Sequence, residues 1–226
     1  REIPYDLKLP DEELMGLVRR CHEERVDGLK ELIKISMKLA QKAELESNNK
    51  LGLVFLSNGM GLEAIAEFER ALDMKPDNPA PIWNRLGQAY LQESQVEEAA
   101  AQFQRALELK PEYPDLHNNR GLAMLQLEKY DEAMENLENA IQRHPGYAEA
   151  HFNIALCIVS QAAQDGKLDE NRKPALETHL AQAVEINSYF QNEYYKVAQS
   201  YIAKGQYHEA RQALIEANTS VSAKTG

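Results

Sequence analysis

The chain has 226 residues, 43% hydrophobic and 27% charged, a balance that supports a packed core and excludes a disordered polymer. Its formal net charge is −11 with no compensating run of Lys and Arg, which argues against nucleic acid as a partner and leaves a protein or peptide. Only 11 Gly and 9 Pro interrupt a sequence rich in Ala, Leu, Glu, Gln and Lys, and clusters of β-branched residues are lacking, so an all-α fold is expected.

The chain opens on Arg1 rather than Met, which reads as a processed form or an excised piece, and its first residues carry no signal-like apolar core. Pro10 and Asp11, followed by Glu12 and Glu13, suit a helix start, where negative charge meets the positive end of the helix dipole. Leu14, Leu17, Val18 and Cys21 then share one face at helical spacing, and Leu29, Leu32, Ile33, Met37 and Ala40 form a second stripe. Residues 1–44 are therefore expected to be one or two helices that cap the segment after them.

From residue 45 a rhythm sets in. Gly52, Gly87 and Gly121 recur at close to the ~34 residues of a helix-turn-helix repeat, and Ala155 continues the series. Ala64, Ala99 and Ala133 keep step with them, as do Ala71, Ala106 and Ala140. A small residue at Gly87 lets the first helix of a unit approach the second, Ala99 and Ala106 make the matching face, and Trp83, Leu86, Tyr90 and Phe103 fill the remaining space. Pro76, Pro111 and Pro145 stand where each second helix must end, because proline cannot supply the amide a helix interior requires.

The fourth unit begins near Ala148, and its spacing to the next is about nine residues longer than a ~34-residue repeat. A lengthened first helix, then a polar loop around 165–173, is expected near an insertion at 160–174. Ser188 stands where the closing proline would be. Ala198, Tyr201, Gly205, Tyr207, Ala210, Leu214 and Ala217 restore the pattern in a fifth unit, so the array spans 45–218. Residues 219–226 are small and polar and read as a flexible tail, with no final solvating helix after them.

The run Trp83-x2-Leu86-Gly87-x2-Tyr90, then Ala99-x3-Phe103 and Pro111, resembles the tetratricopeptide repeat pattern at every position. Neighbouring units keep it through Gly52, Phe68 and Pro76 on one side, and through Gly121, Tyr130, Leu137 and Pro145 on the other. The resemblance implies a right-handed superhelical α-solenoid of about five helix-turn-helix repeats, whose first helices line a concave face.

Little in the sequence speaks for chemistry. The six histidines, His22, His117, His144, His151, His179 and His208, show no metal-ligand spacing, and His117 and His151 occupy the place of Trp83 in their own units, where packing accounts for them. Cys21 and Cys157 form no paired motif and read as buried reduced thiols, which points to a reducing, cytoplasmic compartment. Acidic pairs such as Glu97-Glu98 begin second helices and suit the dipole there. No catalytic residue, metal or cofactor is assigned, and no stretch approaches the roughly 18 apolar residues of a membrane span.

Binding is the remaining use. Asn49, Asn84 and Asn118 recur at equivalent places on the first helices, replaced later by Phe152 and Tyr195. One step on lie Arg85, Asn119, Asn153 and Lys196, and a turn further Gln88, Leu122, Leu156 and Gln199. These thirteen positions are the candidate peptide-binding residues, since asparagine can donate to and accept from an extended backbone. Asn119 and Asn153 resemble the asparagine ladder by which some tetratricopeptide proteins hold peptides, and Phe152 and Tyr195 would be aromatic anchors. Lys50, Arg85 and Lys196 match part of the set that holds acidic chaperone tails, but Leu53, Leu122, Asp115 and Glu149 depart from it. The expected function is a scaffold or adaptor that takes a peptide segment or partner helix in the concave groove. Self-assembly through the terminal repeats and a recruiting arm of a larger enzyme are the alternatives.

Overall fold

The computed structural model describes residues 12, 13, 15, 16 and 27–225. Among these, the regular elements are α1 (Asp27–Ser57), α2 (Gly61–Asp73), α3 (Ala80–Gln92), α4 (Val96–Leu109), α5 (Pro114–Gln126), α6 (Tyr130–Arg143), α7 (Ala148–Asp165), α8 (Lys173–Ile186), a 3-10 turn (Ser188–Phe190), α9 (Glu193–Ala203) and α10 (Tyr207–Thr225). The all-α fold expected from composition is what forms among the described residues, in the helix-turn-helix repeats that the resemblance implies. The chain divides into two units, residues 1–82 and 83–226.

In the first unit, α1 is a single helix of 31 residues, so no break separates a cap from the first repeat at residue 44. The expected helix start at Pro10 and the stripe Leu14, Leu17, Val18 and Cys21 lie outside the described residues. Of the second stripe, Ile33 and Met37 are exposed, at 54% and 62%, whereas Leu32, Ile35 and Leu39 are half-buried: the sheltered side is rotated from the one the apolar pattern suggested. Further along, α1 packs on α2, where Ala64, Phe68 and Ala71 are completely buried.

The second unit repeats one hairpin design. A Cβ built on Gly87 would lie 2.5 Å from the Phe103 ring, and one on Gly121 would lie 2.8 Å from Leu137, so these glycines exist for close helix approach. Ala99, Phe103, Ala106, Ala133, Leu137 and Ala140 are fully buried in the seams. Arg105 lies over the Trp83 ring at 4.9 Å, a cation-π contact that ties α4 to α3.

The turns are built alike as well. Ser94 and Glu128, the residues after α3 and α5 that adopt left-handed backbone, have φ of 60° and 59° and correspond to Gly59 and Gly205 at 76° and 72°. Their amides and those of the next residues bond back to the helix end, Ser94 to Leu91, Gln95 to Tyr90, Glu128 to Leu125 and Lys129 to Met124. This is the Schellman closure that satisfies the last carbonyls of a helix.

After α6 the regular progression changes. As expected, α7 is long, with 18 residues, and closes on Gly166 in left-handed conformation before the 166–172 turn. In the earlier repeats a second helix packs on the first helix of the next unit, α4 on α5 and α6 on α7. The last hairpin instead docks through its second helix, with α10 packed on α7 and α9 packed on α10. All ten residues 151–160 are buried as a result. Phe190 of the 3-10 turn stacks on Phe152, their centroids 4.6 Å apart, and Asn192 donates to the Ala217 carbonyl at 3.0 Å.

The helix α10 continues to Thr225, through residues that read as a tail. Its apolar stripe Ala210, Ala213, Leu214 and Ala217 extends one more turn to Val221, which is 3% exposed, and this buried contact holds a segment whose composition alone is weakly helical.

Candidate functional site

The sequence-based candidates fall into distinct environments. Asn49 lies in the first unit and is half-buried. On α3, Asn84 and Arg85 are half-buried and Gln88 is exposed. On α5, Asn118 is buried while Asn119 and Leu122 are half-buried. On α7, Phe152, Asn153 and Leu156 are all buried, and on α9 Tyr195 is buried while Lys196 and Gln199 are exposed.

The asparagines form rungs, but with each other. Asn119 Nδ2 donates to Asn84 Oδ1 at 2.9 Å, and Asn153 Nδ2 donates to Asn118 Oδ1 at the same distance, each pair joining successive first helices across 35 residues. Buried amides must find partners, and the nearest equivalent helix supplies them. This corrects the expectation that Asn118 and Asn153 face a bound peptide. Beside them, Tyr147 is hydrogen-bonded to Asp115 and Asn118; burial, then the Asp115 charge, hold its hydroxyl protonated far above the usual phenol range.

Phe152 and Leu156 are likewise corrected. Phe152 is fully buried against Phe190, and Leu156 is 3% exposed in the core that α6, α8 and α10 build around α7. Neither can anchor a partner, because the last hairpin already covers them.

Tyr195 and Gln199 meet a different surface. With α10 docked on α7, α8 and α9 face each other across a groove of about 740 Å³. Leu176, Leu180 and Ala181 of α8 line one side, Tyr195, Gln199, Ile202 and Ala203 of α9 the other, and Leu168 and Tyr207 close the ends. Gln199 Nε2 donates to the Tyr195 hydroxyl at 3.1 Å, and burial pushes that phenol's pKa up, so it stays a neutral hydrogen-bonding group. Glu170, Lys173, Glu177 and Lys204 border the opening.

Of the groove residues, sequence reasoning reached only Tyr195 and Gln199. Leu176 and Leu180 are buried and Ile202 is half-buried, as helix-packing residues of a repeat would be, so spacing alone marks none of them as groove lining. The available signal was the lengthened fourth unit with Ser188 in place of the closing proline. Among the described residues, no cluster of three or more His, Cys, Asp or Glu side chains could hold a metal ion, and no helix is long and apolar enough to cross a membrane.

Comparison with known proteins agrees with this architecture. A family model described as TPR repeat matches residues 87–128, and two described as tetratricopeptide repeat match 114–147 and, for the other, 45–78 and 194–219. No curated protein sequence matches the chain. Solved structures share its fold at low identity. MamA (41-end) from Desulfovibrio magneticus RS-1 is 15% identical with a TM-score of 0.58, over 81% of this chain and 98% of that one. TTC0263, a thermophilic TPR protein of Thermus thermophilus, is 22% identical at 0.57, over 76% and 89%. YrrB, described as a TPR protein with an unusual peptide-binding site, is 20% identical at 0.52, over 79% and 91%. With the glycine and alanine seams, the closing prolines and the family matches in register along both units, the chain belongs to the tetratricopeptide repeat family.

Proposed function

We propose that the chain is a protein-interaction module that holds an apolar segment of a partner polypeptide between α8 and α9. The observation that carries this reading is the groove of about 740 Å³ between α8 and α9, whose accessible lining is Ala181, Gln199, Ile202 and Ala203 over the buried side chains of Leu176 and Leu180. A cleft that joins apolar side chains with a few placed polar groups is a usual form of binding site.

The division of labour follows from the residue types. Ile202, Ala181 and Ala203 have apolar surface left to cover, and a partner side chain that becomes fully buried against them contributes about 1.5–3 kcal/mol. Once the cost of association is subtracted, a few such contacts support binding near the micromolar level, about −8 kcal/mol. The Tyr195–Gln199 pair offers hydrogen bonds to a main chain, and fixes orientation. Two lysines and two glutamates border the cleft, so selection rests on apolar shape rather than on net charge. YrrB supports peptide binding as a use of this fold, though the residues here are this chain's own.

The test is selection of binders from a displayed peptide library, followed by titration against Gln199→Arg, Ala203→Arg and, on α3, Gln88→Arg. The first two are expected to weaken binding at least tenfold and the third to leave it unchanged. Loss with Gln88→Arg alone would move the site to the first helices of the earlier repeats and reject the groove.

A further inference from the structure

We infer that a second copy of this chain packs along α1, as an antiparallel helix pair that joins two molecules about a twofold axis. The contact lies in the first unit and is separate from the groove between α8 and α9.

The seam is written in the spacing. Ile33, Met37, Ala40, Glu44, Ser47, Leu51 and Val54 alternate by four and three residues, the heptad rhythm that keeps one line of side chains facing a partner helix. All seven are exposed on a single helix of 31 residues. At 1.5 Å per residue the line runs about 31 Å. The hairpin does not use this side. A Cβ on Gly52 would lie 2.6 Å from the Phe68 ring, so α1 meets α2 on the side that carries Gly52, with Phe55 and Leu56 half-buried. Leu51 and Val54 point elsewhere, roughly 100° and 160° around the helix from Gly52. They are 41% and 54% exposed.

Later repeats show what this side is for. Counted from the glycine of each first helix, Leu51 corresponds to Leu86, and Val54 to Ala89 and Ala123, which are 2%, 0% and 0% exposed. The preceding helix α4 packs on α5, the helix that carries Ala123. Among the described residues no hairpin precedes α1, so the face that a later repeat buries stays open here. A terminal face needs a polar surface or a cover, and this one is apolar.

The order of residues selects the occupant. Read in either direction, the line is two large apolar residues, a small one, Glu44, a small one and two large apolar residues, so it matches its own reverse. A twofold pair, in which residue i meets j and j meets i, uses that property. In the antiparallel register that alternates the two seam positions, Met37 meets Val54, Ala40 meets Leu51 and Glu44 meets Ser47, with Ile33 at either end. Parallel pairing would set Glu44 on Glu44. Charge favours the same order, for residues 30–42 hold four lysines and one glutamate, whereas residues 43–57 hold two glutamates and one lysine. Four large apolar side chains from each copy make a small contact, which suits a reversible dimer.

The experiment uses the full chain. Sedimentation from about 1 to 300 µM is expected to show monomer and dimer in equilibrium, with Kd on the order of 10–100 µM. Met37→Lys combined with Val54→Lys is expected to raise Kd at least tenfold without changing the circular dichroism or the thermal midpoint, since both side chains are exposed. Glu44→Leu is expected to lower it at least tenfold. A wild type that stays monomeric throughout would overturn the proposal and leave the seam to a helix of another protein. A dimer undiminished by the two lysines would place the contact elsewhere and overturn it as well. For the orientation, Met37→Cys and Val54→Cys, each carrying Cys21→Ser, are mixed and oxidised. Disulfides between the unlike variants are expected, and disulfides formed only within each variant would show parallel pairing and refute the antiparallel assignment.

Discussion

The side chain of Asn153 donates to that of Asn118 at 2.9 Å, and both are nearly closed to solvent, at 3% and 6% exposure. The residue therefore serves as a structural tie between α7 and α5. Asn153→Ala should cost about 1–3 kcal/mol, because it leaves the Asn118 acceptor buried without its donor. Asn119→Ala, whose rung to Asn84 is only half-buried, should cost about 1 kcal/mol or less. Urea unfolding of the two variants checks the order; a larger loss for Asn119→Ala would refute it.

Phe190 fixes the last hairpin in its unusual docking. It is fully buried and stacked on Phe152, and the turn that carries it leads directly into α9. Phe190→Ala should cost about 3–5 kcal/mol at this contact. In a repeat array each unit leans only on its neighbours, so the loss should be local. Hydrogen exchange should quicken throughout α9 and α10 and remain slow in α5 and α6. Uniform loss across all four would show that the hairpin is not a separate cooperative element.

What could be read from the sequence, and what could not, divides along range. The hairpins were legible because Gly87 against Phe103, and Gly121 against Leu137, are local contacts that recur at fixed intervals. Pro111 and Pro145 were legible as helix ends, but the bonds their carbonyls accept from His117 and His151 were not, since those depend on how the chain re-enters the next helix. The burial of Phe152 and Leu156 was beyond periodicity altogether. It results from α10, about sixty residues later, docking on α7. Amphipathic spacing shows that a helix has a buried side and says nothing of which later helix covers the other. The groove between α8 and α9 follows from the same choice of partner.

Glu128 holds a left-handed backbone at φ 59°, in a turn whose counterparts at residues 59 and 205 are glycine. The Cβ of an L-residue is strained there, and the Glu128 side chain is exposed. Glu128→Gly relieves that strain while making the unfolded chain more flexible, with a net gain of about 0.5–1 kcal/mol expected. Ser94→Gly, at φ 60°, should behave alike, and the two should add because they close separate turns. A rise in thermal midpoint for each single variant and a larger rise for the pair is the readout; destabilisation by either would contradict the turn assignment.

Cys157 lies at the centre of α7 with no exposed surface, and its Sγ donates weakly to the Tyr130 carbonyl at 3.5 Å. Burial is the main force on the thiol and pushes its pKa up to about 12, with Arg172 opposing and Asp131 adding to the rise. Thiolate, the reactive form, is then nearly absent at pH 8, and the sulfur cannot be reached by an alkylating reagent in any case. Iodoacetamide at pH 8 should leave the peptide containing Cys157 unmodified in the native protein and label it fully in urea. Because α7 is covered on one side by α10, labelling in Phe190→Ala should proceed at an intermediate rate set by opening of the last hairpin. Native labelling as fast as that of a free thiol would mean that α10 does not cover this part of α7, and with it the account of the α8–α9 groove would fail.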